Sequence, residues 1–210
     1  YNNLLNNVLT SEGNVFIYTE YKTLEGIAVL SVVLKANGYD ELRLKRDAEG
    51  DYIIDADLSN PLEHSKKRFL FWGENPESSE LLRKIYNNQY DELPEKIQKQ
   101  LALLPHDNLK GEVVQILLTT KTGAEGIDLH NVRQVHIIEP YWNPVRLKQV
   151  MGRAVRVNSH RNLPKSERTV EIFTYIATIT SVQKKADKQI EIDSGGLCSD
   201  EVLLQISQNK

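Results

Sequence analysis

The chain has 210 residues, of which 40% are hydrophobic and 26% are charged. That size and composition suit one large globular domain, or one domain with a sizeable insertion. The 26 basic residues are outnumbered by 29 acidic ones, so any surface for nucleic acid must be local. The only cysteine, Cys198, excludes a disulfide framework and favours a reducing intracellular compartment. No apolar run approaches the roughly 18 residues that span a bilayer, so we expect no membrane partner.

The first third of the chain begins as an α/β repeat and continues into an irregular segment. A buried strand is predicted by the β-branched and aromatic run NVFIYTEY (14–21). A helix is predicted in KTLEGIAVLSVVLKANGYDEL (22–42), where apolar residues recur at helical spacing until Asn37 and Gly38 stop it. The charged segment 43–68 has turn residues and only weak strand signals, so we interpret it as an insertion or an irregular hairpin.

The rest of the chain alternates predicted strands and helices. The strands are 68–73, 113–120, 134–140 and 169–178, and the helices are 77–88, 91–104, 143–157, 181–190 and 199–208. Asn143 suits the N-cap of its helix and Pro144 the first turn. Because strands alternate with helices, we expect an α/β fold: an open, mostly parallel sheet with helices on both faces, in three layers.

A glycine-containing loop, TTKTGAEGIDL, follows the strongest predicted strand. In such folds, ligands bind beyond the carboxyl ends of the strands. Gly123 and Gly126 would let the backbone approach a partner closely, and the local amides could bind an anion. Thr120 and Thr122 add hydroxyls, and Asp128 adds a carboxylate. The alternative is an ordinary turn between two elements.

The stretch QVMGRAVRVNSH places cationic side chains on the predicted helix 143–157. At about 100° per residue, Gln149, Arg153 and Arg156 fall within a sector of roughly 60°. An arginine fork fits phosphate oxygens and stays charged, and Gly152 on the polar side leaves room for a close partner. A solvated amphipathic helix would show the same pattern, so periodicity leaves both interpretations open.

Taken together, this loop and this helix resemble the last motifs of the superfamily 2 helicases and translocases. TTKTGAEGIDL is similar to motif V, and QVMGRAVR is similar to motif VI, Q-x-x-G-R-x-x-R. NVFIYTEY resembles motif IV, FWGENPESSELLRKI the glycine turn and helix after it, and EPYWNP the link between motifs V and VI in the Swi/Snf-like branch. The resemblance covers most of 14–178 and implies the second RecA-like domain of a two-domain motor.

A narrower resemblance extends past this core. The stretch SHRNLP after motif VI and a C-terminal SDE helix are similar to large-DNA-virus helicases of the poxvirus early transcription factor small-subunit type. It implies that 1–13 is a linker from a missing first motor domain, 14–178 the second domain with 43–68 inserted, and 179–210 a helical C-terminal extension. It favours DNA over RNA as the nucleic-acid partner, RNA polymerase or a transcription-factor subunit as a protein partner, and a location in the virion or host cytoplasm.

The resemblance also assigns catalytic roles. ATP with Mg²⁺ would be bound mainly by the N-terminal RecA-like domain of the same polypeptide. Arg153 and Arg156 would reach the γ-phosphate, Arg156 more directly, and would stabilise charge in the phosphoryl-transfer transition state. Gln149 would hydrogen-bond near the phosphates or couple the ATP and nucleic-acid sites.

Two further groups of residues carry binding roles in the resemblance. The carboxylate of Asp128 would accept from a ribose hydroxyl, with Gly126 and Gly152 also on the cofactor side. The expected nucleic-acid contacts are Thr120, Gly123, Thr122 and Thr19. These are backbone contacts, which fix position without reading sequence, as a translocase requires.

Several features limit this expectation. No glycine is followed by lysine, so the chain has no phosphate-binding G-K-[ST] loop and should not hydrolyse ATP alone. The five histidines show no metal-ligand spacing, so we expect no metal site. The alternative function is a non-catalytic scaffold or transcription-factor subunit derived from a helicase.

Overall fold

The computed structural model describes residues 1–22, 26–73, 75–121, 123–124, 126–180, 182–183 and 197–209. Its strands are β1 (Asn14–Thr19), β2 (Tyr39–Glu41), β3 (Leu44–Arg46), β4 (Tyr52–Ile54), β5 (Lys67–Trp72), β6 (Ile116–Thr120), β7 (Val132–Ile137) and β8 (Glu171–Thr174). Its helices are α1 (Asn2–Leu9), α2 (Ile27–Ala36), α3 (Pro76–Tyr86), α4 (Glu95–Leu101), α5 (Pro144–Ala154) and α6 (Ser199–Gln208).

The main sheet has six strands in the order β2-β5-β6-β1-β7-β8, and every neighbouring pair is parallel. In the central strand β1, Val15 and Ile17 pack with α1 and α2, while Phe16 and Tyr18 pack with α3, α4 and α5. All four side chains are fully buried, as expected of a parallel strand covered on both faces. The expected three-layer α/β fold is confirmed.

The segment 43–68 contains an ordered hairpin of the antiparallel strands β3 and β4. The Gln100 side-chain amide of α4 pairs with one residue of the hairpin. Its Oε1 accepts from the Ile54 N–H at 2.8 Å, and its Nε2 donates to the Ile54 carbonyl at 3.1 Å. The Lys96 ammonium lies 2.6 Å from an Asp47 carboxylate oxygen at the hairpin turn. The hairpin is therefore fixed to α4 by backbone recognition as well as by charge.

Most predicted elements are present, and the differences have local causes. Residues 1–13, expected to be a linker, include α1. The buried Leu4, Leu5 and Val8 pack on the sheet. Most of the other α1 residues are asparagines, whose helix propensity is low. The predicted helix 143–157 ends at Ala154. The predicted helix 199–208 is confirmed as α6, whereas that at 181–190 lies largely outside the described residues.

The start of α5 follows the predicted capping. The Asn143 side chain accepts from the Val145 N–H at 3.1 Å, and Pro144 occupies the first turn. This cap fixes where α5 begins, at the carboxyl edge of the sheet just after β7. No helix among the described residues combines the length and the apolar character that crossing a bilayer requires.

Candidate functional site

Asp128 and Arg156 form an ion pair at the surface, although they come from separate segments of the chain. The Arg156 Nη1 atom lies 3.0 Å from the Asp128 Oδ1 atom, and the two side chains are 42% and 43% exposed. Asp128 belongs to the loop after β6, and Arg156 to the turn after α5. An exposed pair of this kind contributes at most about 1 kcal/mol, so Arg156 can exchange its carboxylate for another anion at small cost.

The backbone of Asp128 is held from α3. Its carbonyl oxygen accepts from Asn87 Nδ2 at 2.9 Å and from Arg83 Nη1 at 3.3 Å. The Asn87 Oδ1 atom in turn accepts from the His130 N–H at 2.9 Å, and Asn87 is buried. One asparagine therefore satisfies two backbone groups of the loop and sets where the Asp128 carboxylate projects.

A buried serine–histidine pair holds the turn that carries Arg156. The Ser159 hydroxyl oxygen accepts from the Arg156 N–H at 3.3 Å and lies 2.8 Å from His160 Nδ1. The His160 Nε2–H donates to the Val132 carbonyl at 2.6 Å, which ties the turn to the start of β7. Asn158 has a positive φ of 65°, a conformation that asparagine adopts more readily than most residues. These bonds fix the backbone of the turn from Arg156 to His160, while the Arg156 side chain remains exposed.

The polar edge of α5 lies next to the ion pair of Asp128 and Arg156. Gln149 is exposed and Arg153 is half-buried, and no described residue hydrogen-bonds or ion-pairs with either side chain. A Cβ added to Gly152 would meet nothing within 4 Å, so the surface is open beside Arg153. The Leu129 N–H donates to the Arg153 carbonyl at 3.2 Å and joins the end of α5 to the loop of Asp128. The structure thus brings Arg153, Arg156 and Asp128 to one edge of the molecule.

The same segments match a known family. Residues 57–158 match the helicase conserved C-terminal domain. The chain carries a helicase C-terminal domain. The matched residues include the loop with Asp128, the whole of α5 and the turn with Arg156.

Relatives of this helicase domain occur in large DNA viruses. It is 36% identical over 204 residues to a "Termination factor NPH-I homolog" of African swine fever virus, which covers 90% of this chain and 28% of that protein. It is 30% identical over 165 residues to a "Putative ATP-dependent RNA helicase" of Acanthamoeba polyphaga mimivirus, covering 79% of this chain and 16% of that protein. It is also 35% identical over 85 residues to "Nucleoside triphosphatase I" of Heliothis armigera entomopoxvirus, covering 40% of this chain and 13% of that protein. The chain therefore spans only a fraction of the length of these proteins. The expected similarity to large-DNA-virus helicases is confirmed.

A solved structure supports the fold of the helicase domain. The "Crystal structure of the C-terminal part of Fun30 ATPase domain" aligns with a TM-score of 0.51 over 99% of this chain and 51% of that chain. The sequence identity is 16%, so the likeness concerns the arrangement of strands and helices.

The glycine loop of the helicase domain packs tightly against β5. Trp72 Nε1 donates to the Gly123 carbonyl at 2.7 Å. A Cβ on Gly123 would lie 2.4 Å from Thr119 Oγ1 and 2.8 Å from the Trp72 carbonyl oxygen. A side chain at position 123 would therefore clash with Thr119 and Trp72, so glycine is required there whether or not a ligand approaches. Gly126 has a φ of 80° with open space around it, so its requirement is conformational.

The predicted nucleic-acid residues differ in how far they reach the surface. Thr120 and Gly123 are buried at the end of β6, and Thr122 lies outside the described residues. Thr19 is 1% exposed, and its hydroxyl donates to Glu139 at 2.7 Å. The structure therefore places the Thr19 side chain in an internal hydrogen bond, and a partner could meet only neighbouring backbone. Burial raises the pKa of the Glu139 carboxyl above its usual value.

Several residues that shape the site were not found from the sequence. Asn87 and Glu139 act through hydrogen bonds to residues distant in the chain, so no local pattern marks them. Ser159 acts within its own turn, on Arg156 and His160. His160 supports the same turn through its bond to the Val132 carbonyl. Among the described residues, no group of three or more His, Cys, Asp or Glu side chains could hold a metal ion.

Proposed function

We propose that this chain is the second motor domain of an ATP-dependent helicase or translocase, whose Arg153 and Arg156 act on a nucleotide held by another domain. The contact between Arg156 and Asp128 is the observation that carries the proposal. It joins a motif VI arginine to the motif V carboxylate at an exposed edge, next to Arg153, whose side chain pairs with no described residue. The relatives named as a putative ATP-dependent RNA helicase and as a nucleoside triphosphatase support it.

The pairing suggests how Arg156 would work. A triphosphate concentrates more negative charge than a carboxylate and accepts a guanidinium through two parallel bonds. Because the exposed bond to Asp128 is weak, Arg156 would leave it when a neighbouring domain presents a phosphate. Asp128 would then be free to accept from a ribose hydroxyl. Gln149 and Arg153 would meet the same nucleotide from α5, across the open surface at Gly152.

These residues fit a nucleotide and leave the metal to another domain. Guanidiniums bind oxyanions, and Gly152 leaves space for a close approach. Mg²⁺ prefers several oxygen ligands, and Asp128 is the only carboxylate among the described residues of the proposed site. Mg²⁺ bound with ATP would supply charge neutralisation at the phosphates, which Arg153 and Arg156 would supplement.

We further propose DNA as the nucleic-acid track and transcription as the process. The relatives come from large DNA viruses, and one is named a termination factor homolog. The loop at Gly123 and Gly126 and the end of β6 at Thr120 would contact the strand through backbone groups, together with Thr122 and the backbone at Thr19. RNA polymerase or a transcription-factor subunit is the corresponding protein partner, and the virion or host cytoplasm the corresponding location.

The test uses the longer protein in which this chain is joined to a first motor domain. Arg156→Ala should lower the nucleic-acid-stimulated kcat for ATP hydrolysis by about 10³-fold, with a much smaller change in KM, because an arginine finger acts in the transition state. Lys148→Ala is the matched control, since it removes an exposed cation from the preceding helix α5 and should leave kcat unchanged.

The outcomes separate the two functions. If Arg156→Ala keeps the wild-type kcat, the finger role is wrong. If the wild-type longer protein does not hydrolyse ATP at all, the non-catalytic scaffold is favoured. Stimulation of the wild-type protein by DNA and RNA oligonucleotides of the same sequence then identifies the track. Equal or greater stimulation by RNA would contradict the choice of DNA.

A further inference from the structure

A second cluster of arginines lies beyond the proposed site, in a groove between the turn after α5 and strand β8. The groove has a volume of about 370 Å³ and is lined by Arg156, Arg161 and Arg168. Among the described residues, none of its lining side chains is acidic. We call it the post-α5 groove. No described carboxylate lines the groove, although Arg156 is paired with Asp128 outside it, so the groove is locally cationic in a chain whose net charge is −3.

Arg168 shapes this groove by fixing its outer loop. Its Nε donates to the Leu163 carbonyl and its Nη2 to the Arg161 carbonyl, each at 2.9 Å. The Arg161 N–H donates to the Asn158 carbonyl at 3.2 Å, so the backbone that carries Arg161 is held at both ends. The Arg161 side chain is exposed, and within the described part of the chain its guanidinium has no hydrogen-bond or ion-pair partner. The loop is therefore held in place while this cation remains available.

Apolar side chains form the rest of the groove. Val155 is 51% exposed and Ile172 is 46% exposed, and Val170 also lines the groove. Cations beside exposed apolar surface suit an organic anion that carries both charge and a non-polar part. A nucleotide unit, with its phosphate and its base or sugar, has this character.

We propose that the post-α5 groove binds phosphate groups of a nucleotide or of a nucleic-acid strand, with Arg161 as a phosphate-binding residue. The proposal rests on the proposed function only through Arg156, which both sites share. Phosphate is favoured over an acidic peptide because the groove gathers its charge in a small volume. A multiply charged phosphate meets several guanidinium forks at once, whereas single carboxylates lie farther apart along a peptide.

The test is a titration of the 210-residue chain followed by NMR of the arginine Nε–Hε groups. The probes are inorganic pyrophosphate, ATP without Mg²⁺ and a single-stranded oligo-dT. Arg161→Ala should weaken phosphate binding by about tenfold, as expected for the loss of charge-assisted hydrogen bonds. Arg161→Glu should weaken it further, and Arg161→Lys should restore part of the affinity. Lys99→Ala on α4 is the matched control and should bind like the wild type.

The Arg161 side chain has no described partner, so its variants should fold, and their amide spectra verify this. Loss of ATP binding with unchanged oligo-dT binding assigns the groove to nucleotides, and the reverse pattern assigns it to nucleic acid. Wild-type affinity of Arg161→Ala for all three probes overturns the proposal. The proposal is also overturned if a poly-glutamate peptide binds more tightly than every phosphate probe and its binding depends on Arg161. If Arg156→Ala keeps full ATPase activity while binding still depends on Arg161, the proposed function fails and the groove stands.

Discussion

At the β2 edge of the sheet, basic side chains meet carboxylates, whereas at the β8 edge several meet none among the described residues. The pairs at the β2 edge and its hairpin are Arg43–Glu41, Lys45–Asp55, Arg46–Glu77 and Lys96 with Asp47, Glu49 and Asp51. Toward the β8 edge, Arg153 and Arg161 lack such partners, and Arg156 has only the exposed Asp128. Paired cations hold a hairpin in place, and unpaired ones are available to an outside anion. Changes at the β2 edge should therefore alter stability, and changes at the β8 edge should alter binding and catalysis.

The largest effect on stability is expected from pH, in the core beneath the β8 edge. His136 of β7 is fully buried, and burial lowers its pKa from 6.5 to about 4. Above pH 6.5 the imidazole is neutral in both states, so the full stability is present. As the pH falls toward 4, only the unfolded state binds the proton, and the free energy of unfolding should drop by about 3 kcal/mol.

Urea unfolding at about pH 7 and about pH 4.5 measures this effect, with His136→Phe as the comparison. The phenyl ring can keep the stacking on Phe173, whose centroid lies 5.0 Å from that of the imidazole. The variant cannot bind a proton, so its stability should fall less between the two pH values. An equal fall in both proteins would show that His136 does not carry the dependence.

A smaller loss of stability is expected at the β2 edge when the hairpin loses its contact with α4. Gln100→Ala leaves the N–H and carbonyl of buried Ile54 without their side-chain partner. The free energy of unfolding should fall by about 2 kcal/mol, within the range for unsatisfied buried groups. Lys99→Ala changes an exposed neighbour on the same helix and should have little effect. Equal unfolding midpoints for Gln100→Ala and Lys99→Ala would contradict a hairpin fixed through Ile54.

The smallest effect should come from surface charge, and it compares the two edges directly. Lys96→Ala removes the cation that neutralises Asp47 and its neighbours, so stability should fall at low salt and recover as salt screens the carboxylates. Arg153→Ala, without a described partner, should leave the unfolding midpoint unchanged at any salt concentration. A destabilised Arg153→Ala protein would show that the β8 edge also uses its cations for folding.

The sequence predicts the parts of this domain that depend on near neighbours. The cap of α5 by Asn143 and Pro144 is local, and so is the alternation that places Val15 and Phe16 on opposite faces. Arg156 illustrates the limit, because helical periodicity placed it on α5, whereas the helix ends at Ala154 and a turn presents it. The backbone leaves the helical conformation at Val155. A helical wheel assumes that the helix continues, so it cannot predict this end.

Long-range hydrogen bonds account for the rest of the site. Thr19 is the last residue of β1, next to the loop where a ligand contact would lie, yet its hydroxyl donates to Glu139 in a distant segment. The bond from His160 to Val132 likewise joins two segments that the sequence separates. Such pairings arise only when the strands assemble side by side, so residue type and spacing do not reveal them.

The central claim is that Arg156 acts on a phosphate rather than on the fold, and Arg156→Lys tests it most directly. Lysine keeps the positive charge but loses the fork that binds two phosphate oxygens. In the longer protein, kcat for nucleic-acid-stimulated ATP hydrolysis should fall by at least about 10²-fold, while the urea midpoint of this domain stays at the wild-type value. Wild-type kcat in Arg156→Lys, or a loss of activity matched by a loss of stability, would contradict the account.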